Sequence, residues 1–261
     1  MSAGSKFEDL TTRIISAVVL IILAAVALFT SKITFLVFCA LLAGICVWEI
    51  CKFSNVPTLK AIPTAIAAAF LVAALHLNLL VTTYLCFGLA LVTYLALVAQ
   101  EDKLLRLFYL FLVVLGCWGI LTLREENGLI PVIWVVLTVI AADVGGYVFG
   151  RLIGGPKLWP AVSPKKTWSG TIGGWVLAIV ASVALFLYYD VRLILALASV
   201  PVAIAAQAGD LFESWLKRRA SIKDSSQLIP GHGGFLDRFD GFIGAGVLII
   251  LYNAVQGLLS A

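Results

Sequence analysis

The sequence predicts an all-α, polytopic transmembrane helical bundle, and three observations carry that prediction. Of the 261 residues, 62% are hydrophobic and only 12% are charged, with a mean hydropathy of +1.09. A soluble domain carries about 25% charged residues, so this chain has too little polar surface to face water. Apolar runs recur at lengths of roughly 17 to 22 residues, and about 20 such residues cross the hydrocarbon core as a helix. These runs do not alternate polar with apolar positions, which argues against a lipid-facing β-barrel. The third observation is that Lys and Arg segregate between alternate loops.

Nine spans are expected, at 14–29, 33–51, 61–76, 79–99, 107–123, 128–149, 172–189, 193–209 and 242–259. The third is the weakest, being short and carrying Pro63 near its start. With nine, the N-terminus shares a side with the loops after spans 2, 4, 6 and 8, and that side holds fifteen Lys and Arg residues. The other side holds three: Lys32, Arg124 and Arg192. Cytoplasmic loops collect Lys and Arg, so the N-terminus is expected in the cytoplasm and the C-terminus outside. Removing span 3 degrades the split to twelve against six. Lys6 and Arg13 before an apolar run also fit a signal peptide, but no small-x-small cleavage site follows before Lys32, and the run is kept as a span. Cys39, Cys46, Cys51, Cys86 and Cys117 lie in or beside spans without metal-ligand spacing and read as free thiols. The chain reads as one membrane domain, 1–261, with mainly apolar spans over 1–127 and the chemistry in 128–261.

Polarity in the first half is sparse. Glu49 near the end of span 2 could face the site, though an acid at a helix end more often reaches headgroup water, and His76 sits at a turn with no partner in sequence. The second half differs. Span 6 contains Asp143, and an acid at the bilayer centre costs about 2.5–3.5 kcal/mol, so it should face an interior cavity. Gly146 and Gly150 share its face at i+3 and i+7, which lets another backbone approach, and Gly150 is expected to end the span. The loop that follows places Lys165 and Lys166 beside hydroxyls just before span 7, where lysines and a helix N-terminus suit phosphate. Positive-inside anchoring explains those lysines equally well when they are taken alone.

The densest stretch runs from Asp210 to Asp240. If span 8 continues past Asp210, then Asp210, Ser214 and Lys217 share one helical face. Asp237 and Asp240 stand at i and i+3 where span 9 begins. Carboxylates among cationic side chains suit a site for phosphates and Mg2+, and the glycines around His232 let backbone amides approach an anion. A merely solvated loop explains poorly an Asp-Arg-x-Asp cluster pressed against an apolar span.

At these residues the chain resembles the phosphatidate cytidylyltransferase (CDP-diacylglycerol synthase) family. The pattern S-x-x-K-R-x4-K-D, P-G-H-G-G and D-R-x-D is present as Ser214, Lys217-Arg218, Lys223-Asp224, Pro230 to Gly234, Asp237-Arg238 and Asp240. Ser163 to Trp168 and the segment around Asp143 look like the same family, so the resemblance covers about residues 141–241 in detail. Ser169 departs from it where many relatives carry an acid or amide. The resemblance implies transfer of a cytidylyl group from CTP to phosphatidic acid, with Mg2+ and a second cation of unspecified identity. Carried over by position, Asp210, Asp237 and Asp240 are the expected metal ligands and, with Lys217, the catalytic set. Asp143, Lys165, Lys166, Ser214, Arg218, Lys223, Asp224, His232 and Arg238 are expected to bind substrate, His232 chiefly by shaping its loop. The expected partners are CTP, phosphatidic acid and membrane lipid, with a homodimer as an option and no nucleic acid. The expected location is a bacterial cytoplasmic membrane, with the site facing the cytoplasm. Two rivals are a CTP-dependent polyprenol or phytol kinase and an ion-coupled transporter. The long signature argues against the first, and the lack of an inverted repeat against the second.

Overall fold

The computed structural model describes residues 3–53, 56–97, 102–190 and 193–260. Among them the chain forms nine α-helices: α1 (Ala3–Thr30), α2 (Lys32–Lys52), α3 (Thr58–His76), α4 (Leu80–Leu97), α5 (Lys103–Asn127), α6 (Leu129–Leu152), α7 (Trp168–Tyr188), α8 (Ser199–Arg219) and α9 (Leu236–Ser260). Each coincides with one expected span. Seven are long and apolar enough to cross a membrane: all but α4, which is short, and α8, which is too polar. The molecule is a polytopic membrane helical bundle. Arg192, counted above on the external side, lies outside the described residues.

The bundle has an inverted distribution of side chains relative to a soluble protein. Large apolar residues such as Ile21, Val81 and Leu85 point outward, Val81 being 72% exposed. The interior buries large side chains such as Tyr94, Tyr109 and Leu121, but several helix contacts are made through glycine. Gly44 of α2 packs on the backbone of Ala65 in α3, Gly116 of α5 on Ile243 in α9, and Gly145 of α6 on Gly173 and Gly174 in α7. Lipid tails are as apolar as leucine, so helices gain by close backbone approach rather than by hiding apolar area from water. All five cysteines are free, and four are buried.

Two local features differ from the sequence reading. Gly150 does not end α6, which runs on to Leu152, and the break comes at Gly154 and Gly155 with φ of 66° and 100°. Glycine tolerates that left-handed backbone, whereas Gly150 is needed for contact, its Cα facing Thr167 and Gly170. The segment after α6 is also more than a loop. Strands β1 (Lys157–Trp159) and β2 (Ser163–Thr167) pair antiparallel, and Thr167 then caps α7 by accepting a hydrogen bond from the Gly170 amide at 3.2 Å. The hairpin fixes Lys165 and Lys166 relative to the bundle.

Candidate active site

The polar residues of the second half gather at one end of the bundle, in three adjoining clusters. The first is acidic. Asp143 of α6, Asp210 of α8 and Asp240 of α9 lie close enough for their charges to repel. Their approach follows from small residues: α8 and α9 cross where Gly209 and Gly244 meet, each directly beside this cluster. Lys166 from β2 forms an ion pair with Asp210, and Ser214, one turn on, donates to the other Asp210 oxygen at 3.3 Å. Asp240 Oδ1 accepts from the Gly241 amide at 2.7 Å. Asp143 is exposed and has no hydrogen-bond or ion-pair partner among the described residues.

The second cluster is buried and centred on Lys217, and in it the Glu213 oxygens meet only the Lys217 charge and no hydrogen-bond donor among the described residues. Lys217 is held between Glu213 at 2.5 Å and Asp237 at 2.6 Å. Asp237 also accepts from the Ser225 amide, the Ser225 hydroxyl and the Gly234 amide, all within 3.2 Å. Beside it Glu49 of α2, completely buried, accepts from the Ser225 and Ser226 hydroxyls and from the Phe235 and Leu236 amides. Glu49 therefore does not reach headgroup water. It satisfies the orphan amides at the start of α9 and ties the α8–α9 loop to α2. Glu213 was given no role by sequence reasoning, and Glu49 was weighed there but assigned to headgroup water. The available signal was an acid flanked by Trp48 and Ile50 inside an apolar run, where exposure to water is not an option.

The third cluster is the basic loop. Gly231 and Gly233, at φ of 75° and 83°, let Pro230 to Gly234 close a tight turn in which the Ile229 amide donates to the Gly233 carbonyl at 2.8 Å. A side chain at Gly234 would collide with Ser225 and Glu49. Arg238 donates through Nε and Nη2 to the His232 carbonyl at 3.0 and 2.7 Å. His232 Nδ1 lies 2.7 Å from Ser16 Oγ of α1. Burial, and then the Arg238 and Arg13 charges, hold the His232 imidazole below its usual range. A cleft of about 720 Å3 opens here, lined by Arg13, Lys223, Asp224, Ser226, His232 and Arg238 among others. Arg218 instead braces the hairpin, donating to the Val162 carbonyl at 3.4 Å and to Ile222 at 3.2 Å. Lys165 is exposed.

The expected ligand set is thus divided by its surroundings. Asp210 and Asp240 stand together with Asp143, whereas Asp237 turns back into the loop, where both oxygens meet protein donors. Among the described residues no group of three or more His, Cys, Asp or Glu side chains is arranged to hold a metal ion by itself. Mg2+ commonly takes only one or two carboxylates and completes its shell with waters and substrate phosphates. The acidic cluster fits that demand: its charges repel, and Asp143 lacks a protein partner.

A family model described as "Cytidylyltransferase family" matches residues 11–255. The chain belongs to this family. Over 122 residues it is 42% identical to the phosphatidate cytidylyltransferase of Staphylococcus haemolyticus, covering 46% of this chain and 47% of that protein. It is 39% identical over 142 residues to the phosphatidate cytidylyltransferase of Brucella suis, covering 50% and 49% respectively. The chain spans about half the length of the curated relatives it matches.

Proposed function

We propose that the chain transfers a cytidylyl group from CTP to phosphatidic acid, giving CDP-diacylglycerol and pyrophosphate. The observation that carries this reading is the meeting of Asp143, Asp210 and Asp240 with Lys166 and Arg238 at the end of an apolar bundle. Such a place suits two polyanions, one of which carries apolar tails. A phosphate oxygen of phosphatidic acid bonds to the α-phosphorus of CTP while the bond to the β-bridging oxygen breaks, and pyrophosphate leaves with that electron pair. The attacking oxygen is already anionic near neutral pH, so no protein base is required. Catalysis is then positioning and charge.

Asp210 and Asp240, with Asp143 beside them, are the residues proposed to hold Mg2+, and a second cation of unassigned identity is proposed with it. Bound there, a divalent ion supplies positive charge to the triphosphate. Lys166 balances Asp210 until the substrate arrives, and Lys165, Lys223 and Arg238 supply phosphate contacts. Asp237, Lys217 and Glu49 hold the loop that presents Arg238. The site is proposed to face the cytoplasm of a bacterial inner membrane.

The test is incubation of purified protein with labelled CTP, phosphatidic acid and Mg2+, followed by lipid extraction. Labelled CDP-diacylglycerol with stoichiometric pyrophosphate is the expected result. Release of CDP with a phosphorylated lipid would instead mark a CTP-dependent lipid kinase. EDTA should abolish turnover and Mg2+ restore it, and full turnover without divalent ions would sink the metal assignment.

A further inference from the structure

A second cavity, of about 480 Å3, runs along the inner side of α1 between α2, α5, α6 and α9. Its walls are apolar: Leu20 and Ala24 of α1, Phe38 of α2, Ile133 of α6 and Phe242 of α9 among them. Its volume falls in the range of about 300–1,000 Å3 seen for small-molecule sites. Two of its lining residues are not apolar, and these are His232 and Arg238. The same two residues line the basic cleft, so the groove and the cleft meet there.

The charge at that junction is unbalanced. Arg238 spends Nε and Nη2 on the His232 carbonyl, which leaves Nη1 with no acceptor among the described residues. Arg13, exposed on α1, packs over Gly231 and makes no ion pair with a described residue. Both arginines act electrostatically on His232, and Arg238 also acts on Asp143. A group held at Arg238 therefore lies between the basic cleft and the acidic cluster. An apolar slot that ends at Arg238 and His232, with Arg13 in the adjoining cleft, is complementary to a hydrocarbon tail that ends in a phosphate.

We propose that this groove holds an acyl chain of the lipid acceptor, with its phosphate monoester at the mouth against Arg238 and Arg13. The proposal rests on the transfer reading above and adds to it the route of entry, from the lipid beside α1. α1 suits a movable wall, because only 11% of its apolar window is buried and His232 and Pro230 are tied to it through Ser16, at 2.7 and 3.0 Å. A bound lipid thus has a direct contact through which to order the loop that carries His232, the acceptor of the Arg238 hydrogen bonds.

The experiment uses the full chain in phosphatidylcholine nanodiscs containing a trace of phosphatidic acid with a mid-chain diazirine. After irradiation, adducts are mapped by mass spectrometry. The expected adducts fall on Leu20, Ala24, Phe38 and Phe242, and they are competed by unlabelled phosphatidic acid but not by added phosphatidylcholine. Ala24→Trp, which fills the slot, should reduce these adducts about tenfold and raise KM for long-chain phosphatidic acid but not for CTP. Ile22→Trp, outside the groove lining, should leave both unchanged. Arg13→Ala should abolish the preference for phosphatidic acid as competitor. Adducts spread over outward faces, or groove adducts competed equally by phosphatidylcholine, would overturn the proposal even if Ala24→Trp failed to fold. CTP turnover by the wild-type protein in the same discs separates the two readings. Product with no groove labelling removes the groove alone, and competed labelling without product keeps the lipid site while the transfer reading fails.

Discussion

Asp237 and Asp240 stand one helical turn apart, yet their surroundings give them different work. Asp237 accepts from Lys217, Ser225 and Gly234, while Asp240 faces Asp210 and Asp143 with one backbone donor. Asp240→Asn should lower kcat by about 10²-fold, as loss of a key electrostatic group does, while the thermal midpoint holds or rises because a repulsion is removed. Asp237→Asn turns an amide NH2 towards donors and weakens the anchor of Lys217, so it should cost about 1–3 kcal/mol of stability. Parallel enzyme assays and thermal unfolding of both variants check this. An inert Asp240→Asn would return the metal to Asp237. A second pair gives a pH test. The Arg219 guanidinium beside Asp102 holds that carboxyl below the usual carboxylate range, through contacts at 2.8 and 2.5 Å. A depressed carboxyl stabilises the fold above its unfolded value, about 3.9, and that help is lost as pH falls through the folded value. Asp102→Asn should therefore be slightly less stable than wild type at pH 7, by a small margin for so exposed a pair. The gap should close under acid, and a gap that widened there would contradict the assignment. At this scale the sequence exposed the residue types but not their partners. That Asp210, Asp237 and Asp240 would gather at one end of the bundle was legible. Which of them the loop would claim depended on Ser225, Gly234 and the distant Glu49, which no local spacing relates.

Helix positions were the most legible element of the fold, because each apolar run is long and bounded by basic loops. Their ends were not. Span 8 was placed at 193–209 with its continuation past Asp210 left as a condition. α8 does continue, to Arg219, since the requirement on its last three turns is burial of Glu213 and Lys217 rather than apolarity. The β1–β2 hairpin was missed because Pro156, Pro160 and Pro164 suggest an irregular loop, yet they fall where the pairing does not need their amides. The glycine face of α6 was correctly expected to admit a neighbour, and Gly170, Gly173 and Gly174 of α7 provide it. A methyl group at Gly145 would stand 2.8 Å from the Gly173 carbonyl, and at Gly116 2.6 Å from that of Ile243. Gly145→Ala and Gly116→Ala should each cost about 1–3 kcal/mol, because backbone cannot yield as a side chain can. Gly88→Ala and Gly257→Ala meet open space and should be neutral or stabilising by up to about 1 kcal/mol. Thermal unfolding in detergent checks the contrast. Equal effects in all four variants would mean that the helices are not locked by backbone contact.

For the whole molecule, the side-chain contacts repeat the alternation first read from loop charge. Arg219 at the end of α8 pairs with Asp102 before α5, Arg106 of α5 donates to the Phe53 carbonyl after α2 at 3.0 Å, and Lys166 after α6 pairs with Asp210. Arg13 of α1 packs on Gly231 of the α8–α9 loop. The N-terminal segment and the loops after α2, α4, α6 and α8 are thus joined at one end. At the other end, Lys32 at the start of α2 pairs with Glu125 of α5 at 2.8 Å, and His76 at the close of α3 approaches the same carboxylate at 3.9 Å. His76 lies far from the acidic cluster and has no part in it. This parity and the fifteen-to-three charge split make one prediction about orientation. Gln227 is exposed in the α8–α9 loop. In a variant freed of native cysteines, Gln227→Cys should resist a membrane-impermeant thiol reagent in intact cells and react in inverted vesicles. A reporter fused after Ala261 should read as external. CTP is made and kept in the cytosol, so the acidic cluster must open to that side for the proposed transfer to occur. Labelling of Gln227→Cys from outside the cell would place the cluster beyond the reach of CTP, and the transfer reading would have to be abandoned with it.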